Sequence, residues 1–201
     1  VRDRLLMALP NTLLLASQSL FLAFAVGALA GVLQAAKQGT LLDSLLSVLT
    51  LTFYSVPSFW LAIMLILVFS VGAGVWWDWP VSFPASGLAS PGADLLSPWG
   101  RFLDRVHHPV LPVLTLLLIL AGGVARYVRT SMLEVVRQDY IRTARAKGLS
   151  EARVILKHGL RNGLIPIVTL LGVYFPLLLS GAVLVETVFA WPGMGQLAVE
   201  S

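Results

Sequence analysis

"RTARAKGLSEARVILKHGLRNGLIP", Arg142–Pro166, gathers six of the chain's fourteen Lys and Arg residues and then runs into a stretch, Asn162–Val185, in which Arg and Lys stop altogether after Arg161. A basic block abutting a charge-free run sets the reading of the whole chain. Of its 201 residues 57% are hydrophobic and 12% charged, with a mean hydropathy of +0.85, a composition outside the range of water-soluble domains. The chain therefore reads as one integral membrane domain. It contains no Cys, which excludes disulfides and thiolate metal sites and leaves the redox compartment unread.

Charge-free intervals mark the spans, because a charge at mid-bilayer costs about 2.5 to 3.5 kcal/mol even on lenient insertion scales. They run Leu5–Ala36, Ser44–Trp77, Val106–Ala125 and Asn162–Val185. Each meets the roughly 20 residues that cross a bilayer as helix. The expected architecture is all-α and polytopic, with transmembrane helices over 11–33, 45–71, 109–125 and 163–185. Alternation puts Lys37, Arg126, Arg129, Arg137, Arg142, Arg145, Lys147, Arg153, Lys157 and Arg161 on one side and Arg2, Arg4, Arg101 and Arg105 on the other. By the positive-inside rule the 126–162 loop is cytoplasmic and 72–108 extracytoplasmic. Val1 then lies outside without a signal-peptide pattern, so the sequence reads as a fragment whose flanking N- and C-terminal helices are missing.

The outer loop, "VWWDWPVSFPASGLASPGADLLSPWG" (75–100), is rich in Trp, Pro, Gly and Ser and predicts irregular chain with short helical pieces. Trp76, Trp77 and Trp79 suit an interfacial aromatic belt better than a ligand-stacking site. His107 and His108 are adjacent, point to different sides and have no third ligand in sequence, so no metal site is expected.

Within the basic loop two helical patterns meet at "KGLS". Leu133, Val136, Tyr140 and Ala144 make one apolar face; Gly148 breaks the helix and Ser150 suits the next cap. Ala152, Ile155, Leu156, Gly159 and Leu160 form a second apolar face, beside which Arg153, Lys157 and Arg161 align. Such an elbow fits anionic lipid headgroups, which the pattern alone favours, or a groove on another protein, which it leaves open. Nucleic acid is a poor partner, since a loop tethered at both ends to membrane spans cannot settle into a major groove.

"DYIRTARAKGLSEARVILKHGLRNGLIP" (139–166) closely resembles the cytoplasmic signature loop of ABC importer permeases of the dipeptide, oligopeptide and nickel branch. "VPSFWLAIMLILVF" (56–69), "PASG" (84–87), "HPVLPVLTL" (108–116) and "ETVFAWPGMGQL" (186–197) are similar to the same branch, the last to its first, B-type, permease. The resemblance implies a type I importer permease fold in a bacterial or archaeal inner membrane. It implies as partners a second homologous permease subunit, cytoplasmic ABC ATPase subunits and an extracytoplasmic solute-binding protein, with lipid around the spans. Peptides would be the cargo, and nickel, glutathione or an opine the alternatives. Residue by residue, the ATPase contact would fall on Asp139, Tyr140, Arg142, Thr143, Ala144, Arg145, Ala146, Lys147, Gly148, Leu149 and Ser150, with Ala144 small enough for close approach. The general permease pattern has Glu-Ala-Ala where this chain has Arg142, Thr143 and Ala144, so the ion pair normally given to that glutamate has no counterpart here.

The chain carries no G-x-x-x-x-G-K-[ST] phosphate loop, so ATP and Mg would be used by the partner ATPase and no cofactor is expected in this chain. No acid–base pair, Ser-His pairing or H-E-x-x-H lies within the spans, so no catalytic residue is expected. A noncatalytic anchor or receptor subunit stays open on composition alone. Polar residues within the spans, Asn11, Gln18, Thr50, Thr52, Ser55 and Thr169, fit interhelical hydrogen bonds or a substrate path. For the path, Gln18, Ser55, Thr169 and, at the outer end of the last span, Glu186 are the candidates. Pro57, Pro166 and Pro176, with Gly172 and Gly181, permit kinks and close packing.

Overall fold

The computed structural model describes residues 2–76, 78–150, 153–163 and 165–200; the side chains of 2, 156, 158, 165, 166, 177, 179–181 and 200 lie outside the description. Trp77, Ala152 and the side chains of Leu156 and Pro166, which the sequence singles out, fall outside the described residues.

The described residues are mostly helical, with irregular chain over 78–92, and show no strand. Helix α1 is Arg2–Ala36, α2 is Leu41–Ser55 and α3 is Ser58–Val75, the last containing a π-helical turn at Leu67–Val71. Helix α4 is Pro98–His107, α5 is Val110–Val136 and α6 is Asp139–Ala146. A π-helical segment, Val154–Gly159, leads into α7, Leu160–Gly163; α8 is Ile165–Gly181, α9 Val183–Val188 and α10 Met194–Glu200. Among the described residues three helical runs, Asp3–Ala36, Ser58–Val75 and Pro98–Val136, are long and apolar enough to cross a membrane.

Two expected spans differ from expectation. The segment 45–71 is not one helix but α2 and α3, separated at Pro57 (φ −60°, ψ 135°). Proline removes an amide donor and drives Val56 away from helical angles, so α2 ends before it. The segment 163–185 is α8, 17 residues long, followed by the separate turn α9. Pro176 lies inside α8.

The chain divides into two units. One comprises Val1–Ser19, Val56–Leu117 and Phe175–Ser201, the other Leu20–Ser55, Leu118–Tyr174. In the second, α1 and α5 meet through glycines one helical turn apart. A Cβ on Gly27 would lie 2.7 Å from the Cβ of Val124, and one on Gly31 2.6 Å from that of Val128. This is the small-xxx-small contact by which helices approach closely where water supplies no driving force. Val124, Ala125, Val128 and Met132 are fully buried along it, and Phe24 and Tyr174 add an edge-to-face pair at 5.9 Å.

The first unit closes on Leu15, Ala16, Leu61, Ala62, Leu111, Val185, Phe189 and Trp191, all buried. The 72–108 loop is pinned by Asp104, whose carboxylate accepts from the Ser90 amide at 2.9 Å. His108 is buried with Nδ1 2.8 Å from the Asp104 carbonyl, while the His107 ring packs on Phe83 at 5.5 Å, so the two histidines engage different neighbours. Large apolar side chains such as Met7, Phe21, Leu29, Leu49 and Ile63 stay exposed, as they do where a helix surface meets lipid or other helices.

Candidate functional site

The basic loop folds as an elbow with its own small core. Helix α5 ends at Val136, two residues before the extended Gln138 (ψ 151°), so the single helix expected from Leu133 to Ala144 is two helices, α5 and α6. Gly148 adopts φ +78°, a left-handed conformation that closes α6, and its amide donates to the Arg145 carbonyl at 2.9 Å. The break expected at Gly148 is present. Ile141, Ala144 and Val154 are buried against one another, with Val135 and Leu149 packed around them.

Ala144, expected at a partner interface, is 7% exposed and faces Val154 of its own chain. Its small size serves an internal contact. The outward stripe of α6 is Asp139, Arg142, Thr143 and Ala146, all exposed and spaced at three and four residues. Arg142 lies 3.6 Å from Asp139, an exposed pair. Arg145, Lys147, Gly148 and Ser150 are exposed too, Leu149 is half-buried, and Tyr140 accepts a hydrogen bond from Asn162 at 2.9 Å. Two further ties hold the elbow to α5: Ser131 donates to the Gly163 carbonyl at 2.9 Å, and Gly159 and Gly163 lie on Met132.

In the same unit, Asp43 and Arg129 form a two-point ion pair that the charge count does not anticipate. Arg129 donates from Nε to Oδ1 at 3.0 Å and from Nη2 to Oδ2 at 2.9 Å. Asp43 also accepts from the Gly39 amide at 3.0 Å and the Ser47 hydroxyl at 3.3 Å. The bond from Arg129, then that from Gly39, holds the Asp43 carboxyl below its usual range. A sequence signal existed: Thr40 and Asp43 have the spacing of a helix N-cap and its third residue, and the Asp43 amide lies 3.5 Å from Thr40 Oγ1.

In the other unit, Glu186 is fully buried and organises "ETVFAWPGMG". Thr12 donates to its Oε1 at 2.7 Å, the Gly195 amide to its Oε2 at 2.7 Å, and the Met194 amide to Thr12 Oγ1 at 2.8 Å. Asn11 and Trp191 exchange bonds across the same contact: Asn11 Nδ2 donates to the Pro192 carbonyl at 2.8 Å and Trp191 Nε1 to the Asn11 carbonyl at 3.1 Å. The Gly87 amide donates to the Phe189 carbonyl at 2.9 Å, joining "PASG" to the same cluster. A side chain on Gly193 or Gly195 would run into the Glu186 carboxylate.

The remaining path candidates divide between the units. Gln18 is half-buried in the first; Ser55 and Thr169 are exposed in the second. Thr50, Thr52 and Ser55 each donate to a carbonyl one turn earlier, at 2.8, 2.8 and 2.9 Å. Among the described residues no cluster of His, Cys, Asp and Glu has the makings of a metal site. The arrangement holds a basic elbow in place.

The chain is 44% identical over 201 residues to the di/tripeptide transport system permease protein DppB of Pseudomonas aeruginosa (strain UCBPP-PA14), covering 96% of this chain and 59% of that protein. It is 40% identical to the oligopeptide transport system permease protein AppB of Bacillus subtilis (strain 168), covering 100% of this chain and 60% of that one. It is 40% identical to the glutathione transport system permease protein GsiC of Escherichia coli O1:K1 / APEC, covering 100% and 58%. The chain thus spans about 59% of the length of such relatives. In fold it is similar to a crystal structure of an amino acid ABC transporter with histidines, at a TM-score of 0.64 and 16% identity, over 99% of this chain and 78% of that one. Residues 7–201 match the family described as binding-protein-dependent transport system inner membrane component, and to that family this multi-pass, all-helical chain belongs.

Proposed function

We propose that the chain is part of the first permease subunit of an ATP-driven, binding-protein-dependent importer of short peptides. Nickel or an opine would use the same architecture, but the three relatives compared above are named for di/tripeptides, oligopeptides and glutathione, itself a tripeptide. The observation that carries the reading is the elbow. Its apolar residues Ile141, Ala144 and Val154 are consumed internally, so a basic, exposed α6 is presented as a rigid body rather than as an amphipathic face seeking lipid. That favours a protein groove over a membrane surface.

In this reading the 126–162 loop is cytoplasmic and an ATPase subunit receives the Asp139, Arg142, Thr143, Ala146 stripe, with Arg145, Lys147, Gly148, Leu149 and Ser150 at its edge. The contact is thus displaced from Ala144 to the opposite face. ATP closing two ATPase subunits draws the elbows of this chain and a second homologous permease together, and the helices rock between inward-open and outward-open states. A solute-binding protein delivers the peptide from outside. Gln18, Ser55 and Thr169 remain available to a path; Glu186 is enclosed and serves the outer cluster.

The test is Ala146→Trp, which adds bulk to the outward stripe without touching the elbow core. Expressed with its ATPases and reconstituted in proteoliposomes, the variant is expected to insert normally, lose co-purifying ATPase and lose ATP-driven uptake of trialanine. Wild-type levels of both would overturn the docking assignment.

A further inference from the structure

A cavity of about 190 Å³ lies wholly within the second unit, between α2, α5 and the end of α1. Gln34, Ser47, Thr50, Tyr54, Arg126 and Arg129 line it. Its two arginines are not equivalent. Arg129 is neutralised by Asp43 through two bonds. Arg126 pairs with no carboxylate among the described residues; its guanidinium carbon sits 5.4 Å over the Tyr54 ring. A guanidinium laid on an aromatic face keeps its N–H edge for an in-plane acceptor. The cavity therefore carries one uncompensated positive charge, on an exposed Arg126 held over the Tyr54 ring.

The hydroxyls in the wall are already committed. Ser47 donates to Asp43 and Thr50 to the Leu46 carbonyl, so both face Gln34 as acceptors, with Gln34 Nε2 3.4 Å from each. That assigns the amide orientation and leaves Gln34 Oε1 as a carbonyl without a partner in a residue only 2% exposed. A buried acceptor of this kind calls for a donor.

We propose that this cavity binds an oxyanion end group that carries a hydrogen-bond donor beside it, with Arg126 taking the oxyanion and Gln34 the donor. The volume is below the roughly 300 Å³ at which pockets enclose a whole small ligand, so one end of a larger molecule is held. Two sources have this chemistry: the carboxylate and last amide of a short peptide, and the phosphate and hydroxyls of phosphatidylglycerol. The peptide source rests on the importer reading above; the lipid source does not.

The experiment uses the protein with its ATPases in nanodiscs, either phosphatidylcholine alone or with phosphatidylglycerol. Radiolabelled trialanine and its C-terminal amide are the peptide probes, and retained phosphatidylglycerol is counted by native mass spectrometry. In the peptide arm Arg126→Gln is expected to weaken trialanine about tenfold or more and to erase the preference for acid over amide, as loss of a charge-assisted bond does. Arg126→Lys should recover part of the affinity, and Gln34→Met should weaken binding while preserving the acid preference. If the lipid is the occupant, Arg126→Gln lowers retained phosphatidylglycerol instead. Folded Arg126→Gln with unchanged trialanine affinity and unchanged lipid retention overturns the proposal. Wild-type uptake of trialanine in proteoliposomes, scored separately, tests the importer reading: its failure leaves the lipid arm standing, and its success beside an inert Arg126→Gln sinks the cavity alone.

Discussion

Replacing Asp43 by Asn keeps the size and the neutral hydrogen-bonding capacity of the side chain but removes its charge opposite Arg129. Neutral interhelical hydrogen bonds in membrane proteins contribute about 0.6 kcal/mol on average and reach about 1.7. Charge-assisted bonds are roughly twice as strong, and this pair has two, at 3.0 and 2.9 Å. Against that, the Arg129 side chain is 32% exposed while that of Asp43 is 7%, so solvent screens the pair from one side only. Asp43→Asn should therefore cost about 2 kcal/mol, a roughly 30-fold shift in the folding equilibrium. In a cycle with Arg129→Gln the coupling should be about 1.5 kcal/mol. SDS titration in mixed micelles, followed by tryptophan fluorescence, reads both. The sign with pH also follows: the native Asp43 carboxyl is held below its ordinary 3.8, so the pair's contribution is complete above that value and fades as pH falls through the lowered native one. The wild type should lose its advantage over Asp43→Asn only in that acid window. A coupling below about 0.5 kcal/mol, or an advantage already lost at pH 5, would refute the reasoning.

Gly193→Ala places a methyl group on the Glu186 carboxylate; with little room to yield, it should cost about 1 to 3 kcal/mol in the same titration, whereas an unchanged midpoint would mean the cluster is loose. Ile141→Ala removes the fully buried side chain at the centre of the elbow and should cost the elbow about 2 to 5 kcal/mol locally, seen as faster trypsin cleavage after Arg142, Arg145 and Lys147 with the rest of the chain unaffected. Gly148→Ala forces a left-handed angle on a residue with a Cβ, at about 1 to 2 kcal/mol, and should raise the same cleavage more modestly. Gly31→Val drives a branched side chain into Val128 and the Ala125 carbonyl, and the SDS midpoint should fall by more than that of any of the other glycine variants.

Composition, charge spacing and motif were enough to read a polytopic helical chain, its basic loop and its family, because insertion into lipid depends on hydrophobicity summed along one helix at a time. The glycine at 148 was legible for the same local reason: its role is set by its own backbone angle. What the local pattern missed depends on partners far apart in sequence. Asp43 meets Arg129 across 86 residues and Thr12 meets Glu186 across 174, and no periodicity encodes such pairs. Gln34's empty acceptor likewise arises only from which hydroxyls are already engaged around it.

Ala144 shows the division most plainly. Sequence alone determined that a small residue stands on the apolar side of a basic helix, and that such a helix has two surfaces to offer. Only the tertiary structure decided which surface is spent: the break at Gln138 and the turn at Gly148 bring Val154 back over Ile141 and Ala144, and burial against the chain's own residues leaves Asp139, Arg142, Thr143 and Ala146 facing out. Periodicity fixes a face, but what covers that face is set by where the rest of the chain returns.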